Sequence, residues 1–396
     1  MHQLHVDEWS PPAEGTFNKL RLNSPPGGWF PALEGLYWCI TRSNFPYADL
    51  FFSPHLKIIS IVAQWSWDIS SAPPDVLRTL ASTISALPTS SLQRIVVGAD
   101  HDTMSWAYFK DSLSSVVLRC GPSFTDYDSL VPLSDAAVNH LIHLPHFRSW
   151  RIHGPPPNYS ATSLSPIFPP LEELMLGQGA AREWLLLLER LEGGVSTTRG
   201  ATPFSKAKES LKVLYINDSS VPIIDTSFLS PIQRFQNLVH LNIETYCHKE
   251  DDEGQCIFKL DNDNVAGLAM VLTQLEFLLL GRACFENTCS TTVSCLLPIS
   301  VHCAKLEKLE VHFNTTNIVD DFKNMSEDPR SQHSRLLPRC PLTCLDVHRI
   351  PLSLDGPGIE TVAKGMIDIF PSLEWCDGRE EVWDVLSERI GGLQDM

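Results

Sequence analysis

The sequence predicts an α/β solenoid, in which short parallel strands and helices alternate along the chain. The first observation is a six-residue phrase, apolar-x-x-apolar-x-apolar, that recurs about a dozen times. The second is its spacing, since the phrase returns 24 residues after Phe147, at Leu171, and 27 residues after Leu211, at Leu238. The third is a set of amphipathic helical stripes between copies. Together they predict irregular leucine-rich repeats, with a curved parallel sheet on the concave face and helices and loops on the convex face.

Each copy of the phrase is interpreted as one strand. The clearest copies begin at Leu171, Leu211, Leu238, Leu275, Leu306 and Leu342. Looser copies begin at Leu33, Leu56, Leu92, Leu113 and Phe147, with a degenerate one at Leu373. The fourth and sixth positions share one face of a strand and point into the core, because side chains alternate with a period of two. One unit cannot bury these side chains alone, so neighbouring units must stack.

The helical stripes fall between the strand phrases. One covers residues 75–87, and a second follows Ser134, whose hydroxyl can cap a helix. Three more cover residues 184–191, 265–272 and 359–370. This alternation places helices on the side of the sheet opposite the exposed strand residues.

We interpret residues 1–396 as a single array of about twelve irregular units, because a repeat array grows as one body. Residues 1–29 would form a partial or hairpin-like first unit, since phrases ending at Val6 and Leu22 lie close together. Residues 193–209, 247–262 and 314–339 are predicted loop insertions.

Composition limits the partners and the compartment. The formal net charge of −17 disfavours nucleic acid, because phosphate binding needs clustered lysine and arginine. No apolar run is long enough to span a bilayer, and no secretory signal is visible at the N-terminus. Eleven cysteines, an odd number, indicate reduced thiols. We therefore expect a cytoplasmic or nuclear protein with neither nucleic acid nor membrane as a partner.

Two constellations allow an alternative interpretation as ligand sites. Gly177-Gln-Gly179-Ala-Ala-Arg182 resembles a dinucleotide-binding turn, but Arg182 replaces the third glycine, which favours a simple strand-to-helix loop. His140, His143 and His146 have the spacing of metal ligands on a helix. No carboxylate or cysteine completes a coordination shell there, which favours a helix end.

Two further constellations fit metal sites poorly. Cys284, Cys289, Cys295 and Cys303 lack the close pairing of zinc ligands. The stretch around Asp263 begins like a calcium loop but lacks its glycine and its distant glutamate, so Asp263 or Asn264 is predicted to cap a helix. No nucleophile elbow, phosphate loop or His-Glu-x-x-His helix occurs. The sequence therefore predicts a protein that is not an enzyme and uses no metal or cofactor.

Four segments resemble the leucine-rich-repeat part of fungal F-box proteins, and the resemblance extends over nearly the whole chain. They are residues 29–40, 50–61, 135–150 and 168–176. The resemblance implies the substrate-binding repeat region of a ubiquitin-ligase receptor, in which an F-box recruits the ligase adaptor. No F-box is visible before the repeats, and the asparagine usual in each repeat is mostly absent. We therefore expect that the chain is a fragment or an incomplete gene model, with the adaptor a partner only if an F-box is encoded upstream.

The predicted function is protein recognition without bond chemistry, and the alternative is a stand-alone scaffold or inhibitor unconnected with ubiquitin. The expected protein-binding residues are outward positions of the clearest strands, on the concave face; for each, a solvated residue with no partner is the alternative. They are Glu173, Met175, Val213, Tyr215, Asn217, His240, Asn242, Glu244, Phe277, Leu279, Lys308, Glu310, His312, Asp346 and His348. Phe277 and Leu279 stand out, because adjacent exposed apolar groups often mark an interface.

Overall fold

The chain divides into two compact units in the computed structural model. Unit 1 contains residues 1–177 and 193–207, and unit 2 contains residues 178–192 and 208–396. The structure describes residues 2–6, 14–25, 29–40, 44–63, 74–98, 108–129, 131–152, 170–177, 206–217, 223–244, 258–281, 289–327, 340–347, 352–378 and 381–394.

Unit 1 carries seven described strands, each parallel to its sequence neighbour. They are β1 (Gln3–Val6), β2 (Gly35–Ile40), β3 (Ile58–Ala63), β4 (Arg94–Gly98), β5 (Asp126–Ser129), β6 (Ser149–Ile152) and β7 (Glu173–Gly177). The helices are α1 (Glu14–Leu22), α2 (Pro74–Ser85), α3 (Lys110–Arg119) and α4 (Asp135–Ile142), with a 3₁₀ helix at Phe45–Phe51.

Unit 2 carries six described strands, again all parallel. They are β8 (Val213–Asn217), β9 (His240–Glu244), β10 (Phe277–Leu280), β11 (Lys308–Val311), β12 (Cys344–Asp346) and β13 (Trp375–Asp377). Helix α5 (Lys206–Ser210), whose first two residues belong to unit 1, leads into β8, and a 3₁₀ helix covers Val293–Cys295. The remaining helices are α6 (Thr226–Ile232), α7 (Asn262–Val271), α8 (Leu296–His302), α9 (Ile318–Glu327), α10 (Gly356–Ile369) and α11 (Glu381–Gln394).

The fourth position of each phrase forms a continuous buried row within each unit. In unit 2 the aligned residues are Leu214, Leu241, Leu278, Leu309, Leu345 and Cys376, all at most 3% exposed. In unit 1 the corresponding row runs through Leu36, Ile59, Ile95, Tyr127, Trp150 and Leu174. Burying such side chains stabilises the fold by roughly 1.5–3 kcal/mol each. The parallel strands, buried spines and intervening helices confirm the predicted α/β leucine-rich-repeat fold.

One predicted strand is a helix. The phrase at Leu113 lies in α3, where Leu113, Val116 and Val117 are buried. Their spacing of three and four residues is also one face of a helix, which explains the wrong assignment. The strand at this place is β5, whose core residue Tyr127 is followed by Ser129. Both hydroxyl groups bond to the backbone of Val131: the Tyr127 hydroxyl donates to its carbonyl at 3.1 Å, and Ser129 Oγ accepts from its N–H at 2.9 Å.

The first unit is not a hairpin, because the phrase at Phe17 lies in helix α1. Phe17 is 2% exposed, and its ring lies 5.2 Å from that of Tyr47 and 5.9 Å from that of Trp38. Strand β1 instead pairs in parallel with β2. The prediction of one array over residues 1–396 stays a prediction beside the two compact units.

The predicted loop insertions have different outcomes. Part of the predicted insertion 314–339 is not a loop but helix α9. A helix forms there because the sequence is amphipathic, and it buries Ile318 and Phe322. Residues 193–205, 247–257 and 328–339 lie outside the described residues, as do the stripe at 184–191 and the turn residues 178–182. Within the described ranges, no helix is both long enough and apolar enough to cross a membrane.

Two helix starts follow the capping chemistry of short polar residues. Ser134 caps α4 as predicted, with its side chain accepting from the Ala137 N–H at 3.3 Å. Helix α7 is capped by Asp261, which accepts from the Asn264 N–H at 2.8 Å. The Asn264 side chain accepts in turn from the Asp261 N–H at 3.2 Å, completing a capping box. The predicted cap at Asp263 or Asn264 was therefore misplaced, because the extended backbone that a cap requires is at Asp261.

We expect Asp261→Ala to destabilise unit 2 by about 1 kcal/mol, because it leaves N–H groups of the first turn of α7 without an acceptor. Asp263→Ala is the matched control, since it removes the same charge one position inside the helix and should cost only a few tenths of a kcal/mol. Urea unfolding of both variants measures the difference. Equal losses of stability would contradict the capping role of Asp261.

Helix α11 packs along β13, the last described strand of unit 2. The N–H of Trp375 and the carbonyl of Asp377 bond to β12, at Thr343 and Val347. The N–H and carbonyl of Cys376 therefore face the opposite side. There Ser387 Oγ accepts from the Cys376 N–H at 2.9 Å and donates to its carbonyl at 2.8 Å. Trp383, fully buried in α11, packs so closely on Gly378 that an added Cβ would lie 2.4 Å from its ring.

Candidate recognition surface

The outward side chains of unit 2 form two rows across its strands, because buried and outward residues alternate along each strand. The first outward row is defined by Val213, His240, Phe277, Lys308, Cys344 and Trp375. The second outward row is defined by Tyr215, Asn242, Leu279, Glu310, Asp346 and Asp377. Most of the predicted binding residues of unit 2 fall in these rows.

The first outward row is aromatic and basic at its centre. The rings of His240 and Phe277 lie 6.0 Å apart, and Lys308 Nζ lies 5.6 Å from the centre of the Phe277 ring. A cation at this distance is attracted by the face of an aromatic ring. Trp375, at the β13 end of the row, is 44% exposed. This row therefore offers aromatic surface to a partner.

The second outward row is acidic on β11, β12 and β13. Glu310, Asp346 and Asp377 occupy aligned positions on these three strands, which lie about 4.8 Å apart in a sheet. Lys308 Nζ approaches Asp346 Oδ2 to 4.0 Å. Burial, followed by the charge of Asp346, raises the pKa of the neighbouring Cys344 thiol to about 11, so that thiol is neutral at pH 7.

A hydrogen-bonded cluster lies at the carboxyl ends of β8 and β9. The Tyr215 hydroxyl donates to Glu244 Oε2 at 2.5 Å, and Asn217 Nδ2 donates to the Tyr215 oxygen at 3.1 Å. Glu244 is only 5% exposed. These three predicted residues are therefore brought together by the fold.

Three outward residues are buried, contrary to their predicted exposure. Leu279 is 4% exposed and Glu244 and His312 are 5% exposed. Leu279 lies between Asn242 and Glu310 in the second outward row, where cross-strand neighbours cover it. The interpretation of Phe277 and Leu279 as an exposed apolar pair was therefore wrong for Leu279, while Phe277 is half-buried. His348 lies outside the described residues.

Two buried side-chain atoms of unit 2 lack a hydrogen-bond partner among the described residues. They are Nε2 of His312 and Oδ1 of Asn242. His312 directly follows Val311, the last residue of β11, and is 5% exposed. The sequence marks His312 as outward but gives no sign that its nitrogen is both buried and unpaired, since this depends on neighbouring strands.

The predicted binding residues Glu173 and Met175 belong to unit 1, where Arg151 forms ion pairs with two acidic side chains. Arg151 lies 2.7 Å from Glu173 Oε1 and 3.4 Å from Asp128 Oδ2, while Ser149 Oγ donates to Glu173 Oε2 at 3.0 Å. Met175 is half-buried beside Arg151 in register. Asp128 was missed because β5 was not predicted as a strand. Arg151 was missed because binding residues were chosen only from the clearest strands, whereas β6 is a looser copy of the phrase.

The histidines and cysteines considered as metal ligands from the sequence make other contacts in the fold. His140 Nε2 lies 2.9 Å from the Cys120 carbonyl oxygen, and His143 Nδ1 lies 2.6 Å from that of Asn139. Cys289, Cys295 and Cys303 are buried and form no disulfide bond among the described residues, and burial raises the pKa of Cys303 to about 12. Cys284 lies outside the described residues. In the part of the chain that is described, no group of three or more metal-ligating side chains comes together.

Comparison with known proteins adds structural likenesses only. No family model matches the chain, and no curated protein sequence matches it. Among solved structures, the yeast Rad7–Elc1 complex is similar with a TM-score of 0.46 at 14% identity, covering 92% of this chain and 81% of that one.

Two further solved structures are more distant. Internalin InlF of Listeria monocytogenes gives a TM-score of 0.33 at 11% identity, over 91% of this chain and 79% of that one. The plant peptide hormone receptor RGFR1, in complex with RGF2, gives 0.30 at 11% identity, over 88% and 56%. Since all three scores are low, the assignment to the leucine-rich-repeat class rests on the chain's own strand register.

Proposed function

We propose that this chain is a non-enzymatic protein-recognition module, and specifically the substrate-binding repeat region of an F-box-type ubiquitin-ligase receptor. The observation that carries the recognition role is the pair of outward rows on six parallel strands of unit 2. The ubiquitin connection is supported by the resemblance of residues 29–40, 50–61, 135–150 and 168–176 to fungal F-box proteins.

The mechanism of such a module is positioning. Each outward side chain stands on a strand whose opposite face is locked into the buried spine, so the contact residues are held in fixed relative places. His240, Phe277 and Trp375 supply aromatic contact area, the type of side chain that most often carries binding energy. Bond chemistry on the captured protein would be done by the associated ligase.

A cytosolic or nuclear location would suit this proposal. No disulfide bond joins the described cysteines, as expected in the reducing cytosol or nucleus; they are Cys39, Cys120, Cys289, Cys295, Cys303, Cys340, Cys344 and Cys376. The adaptor of the ligase would be a partner only where an F-box is encoded upstream of this sequence.

The test is affinity purification of two tagged proteins in parallel: this chain and the full product of its transcript. We expect both to recover the same protein substrate, and only the full product to recover the ligase adaptor. The substrate should accumulate in cells when cullin ligases are inhibited. A variant with Phe277→Ala and Trp375→Ala, whose side chains are partly exposed, should fold normally and lose the substrate.

The outcomes separate the two parts of the proposal. Recovery of a substrate by the wild type and not by the double variant, with no adaptor on the full product, indicates a scaffold or inhibitor unconnected with ubiquitin. Recovery of no protein that depends on the outward rows would overturn the recognition role itself.

A further inference from the structure

Strand β1 leaves one side of its backbone without a partner. The N–H of Gly35 donates to the His2 carbonyl at 2.9 Å, so the even-numbered residues of β1 bond to β2. The N–H and carbonyl groups of Gln3 and His5 therefore face away from β2, because successive residues of a strand bond to opposite sides. Among the described residues these groups have no hydrogen-bond partner, and both residues are exposed.

This edge lacks the features that normally prevent strand pairing. Protected edges carry a lysine, a proline, a bulge or an inward charge, or are covered by another element. Residues 3–6 read Gln-Leu-His-Val and pair with β2 in unbroken register, so none of the first four features is present. Strand β13 of unit 2 differs, since Ser387 bonds to both backbone groups of Cys376. The edge of β1 is therefore open to another strand.

The spine is incompletely covered at the same strand. Leu4 aligns with Leu36 in the buried row of unit 1 and is half-buried, whereas Leu36 and Ile59 are fully buried. Leu22, at the end of α1, is 85% exposed. A strand added to β1 would cover Leu4 as the flanking strands cover Leu36. That strand must carry an apolar side chain on its spine face.

We infer that β1 is a dimerisation site, at which the edges of two copies of this chain pair in antiparallel orientation. This inference is independent of the proposed recognition function. With Leu4 opposite Leu4 of the second copy, each Gln3 lies opposite a His5. Opposed residues whose backbone groups both point across the gap exchange two hydrogen bonds. Pairing about Leu4 therefore satisfies every unpaired edge group of Gln3 and His5.

The register is self-complementary on both faces of the sheet. On the spine face the two Leu4 side chains meet as a non-hydrogen-bonded pair, in which the Cα atoms are about 4.5 Å apart. On the outward face the uncharged Gln3 amide lies across from the His5 ring, so no like charges oppose each other. A two-fold pairing uses the same edge on both copies, and the assembly therefore closes at two chains.

The experiment measures the mass of the whole 396-residue chain by light scattering and sedimentation velocity over a range of concentrations. We expect a reversible equilibrium between one chain and two. His5→Pro should weaken dimerisation about tenfold or more, because proline removes an edge N–H that β2 does not use. His5→Ala keeps this N–H and should leave the dissociation constant nearly unchanged.

The two His5 variants are matched, since both lose the stacking of the His5 ring on Tyr37, where the ring centroids lie 4.3 Å apart. Circular dichroism melts should show that both fold. A wild-type chain that stays monomeric at all concentrations would overturn the inference. So would a dimer that His5→Pro leaves intact, because its contacts would then lie elsewhere.

Charge reversal tests which residues face each other. The double variant Gln3→Lys, His5→Lys opposes like charges at both pairs, as does Gln3→Glu, His5→Glu, so each alone should be monomeric. Mixed together, the two variants should form a heterodimer, because every pair then joins opposite charges. Failure of the mixture to associate, with both variants folded, would contradict the antiparallel register.

A cysteine crosslink tests the two-fold position without weakening the edge. Leu4→Cys should give a disulfide-linked dimer on mild oxidation, because the Cα separation of the pair suits a disulfide. Val385→Cys, at an exposed position of α11 in unit 2, is the control and should give no more linked dimer than the wild type. Equal yields from the two cysteine variants would overturn the inference.

Discussion

Leu241→Asp should abolish the cooperative unfolding transition of unit 2. Leu241 is fully buried and lies between Leu214 and Leu278 in the spine. The change forfeits roughly 1.5–3 kcal/mol of hydrophobic burial and adds an unpaired buried charge, so the expected loss exceeds about 4 kcal/mol. Thermal unfolding followed by circular dichroism measures it.

Lys212→Asp is the matched control, because it introduces the same side chain at an exposed position just before β8. Its free energy of unfolding should change by no more than about 0.5 kcal/mol. Equal melting temperatures for the two variants would contradict the spine and, with it, the stacking of the strands.

Trp383→Ala should release helix α11 from β13 and destabilise unit 2 by about 3–5 kcal/mol. The indole is fully buried against Gly378, and its removal leaves a cavity that the helix cannot fill. Hydrogen exchange should show early loss of protection in residues 381–394, and urea unfolding should give the free-energy change.

Val385→Ala is the control on the same helix, since its side chain is 47% exposed. We expect a change of less than about 1 kcal/mol and unchanged exchange of the helix. Unaltered protection of α11 in the Trp383→Ala variant would show that the helix is held in place by other contacts.

The spine was predictable because the spacing of its aliphatic residues is visible in the sequence. An aliphatic triplet at positions one, four and six of the phrase indicates a strand that neighbouring units can cover. The spine residues at position four are aliphatic, namely Leu214, Leu241, Leu278, Leu309 and Leu345. Strand β5 was missed because Tyr127 and Ser129 are polar in type, and their burial depends on hydrogen bonds to Val131 that no local pattern reveals.

Which residues of the strands point outward was predictable from the sequence, but how far each of these side chains is exposed was not. Alternation predicts an outward position for Glu310, which is less buried than its neighbours Leu309 and Val311 on β11, because alternation is a property of the strand alone. How far Leu279 or His312 is covered depends on side chains from strands about thirty residues away in sequence. The same is true of the ion pairs of Arg151, which join three strands of unit 1.

The single hydroxyl of Ser387 has a consequence for self-association. A sheet edge with unpaired N–H and carbonyl groups is a template for another chain, and exposed edges promote aggregation. By occupying both groups of Cys376, Ser387 does at that residue what a neighbouring strand would do. Edge-to-edge joining of two molecules through β13 would first have to break both bonds and displace the helix that carries them.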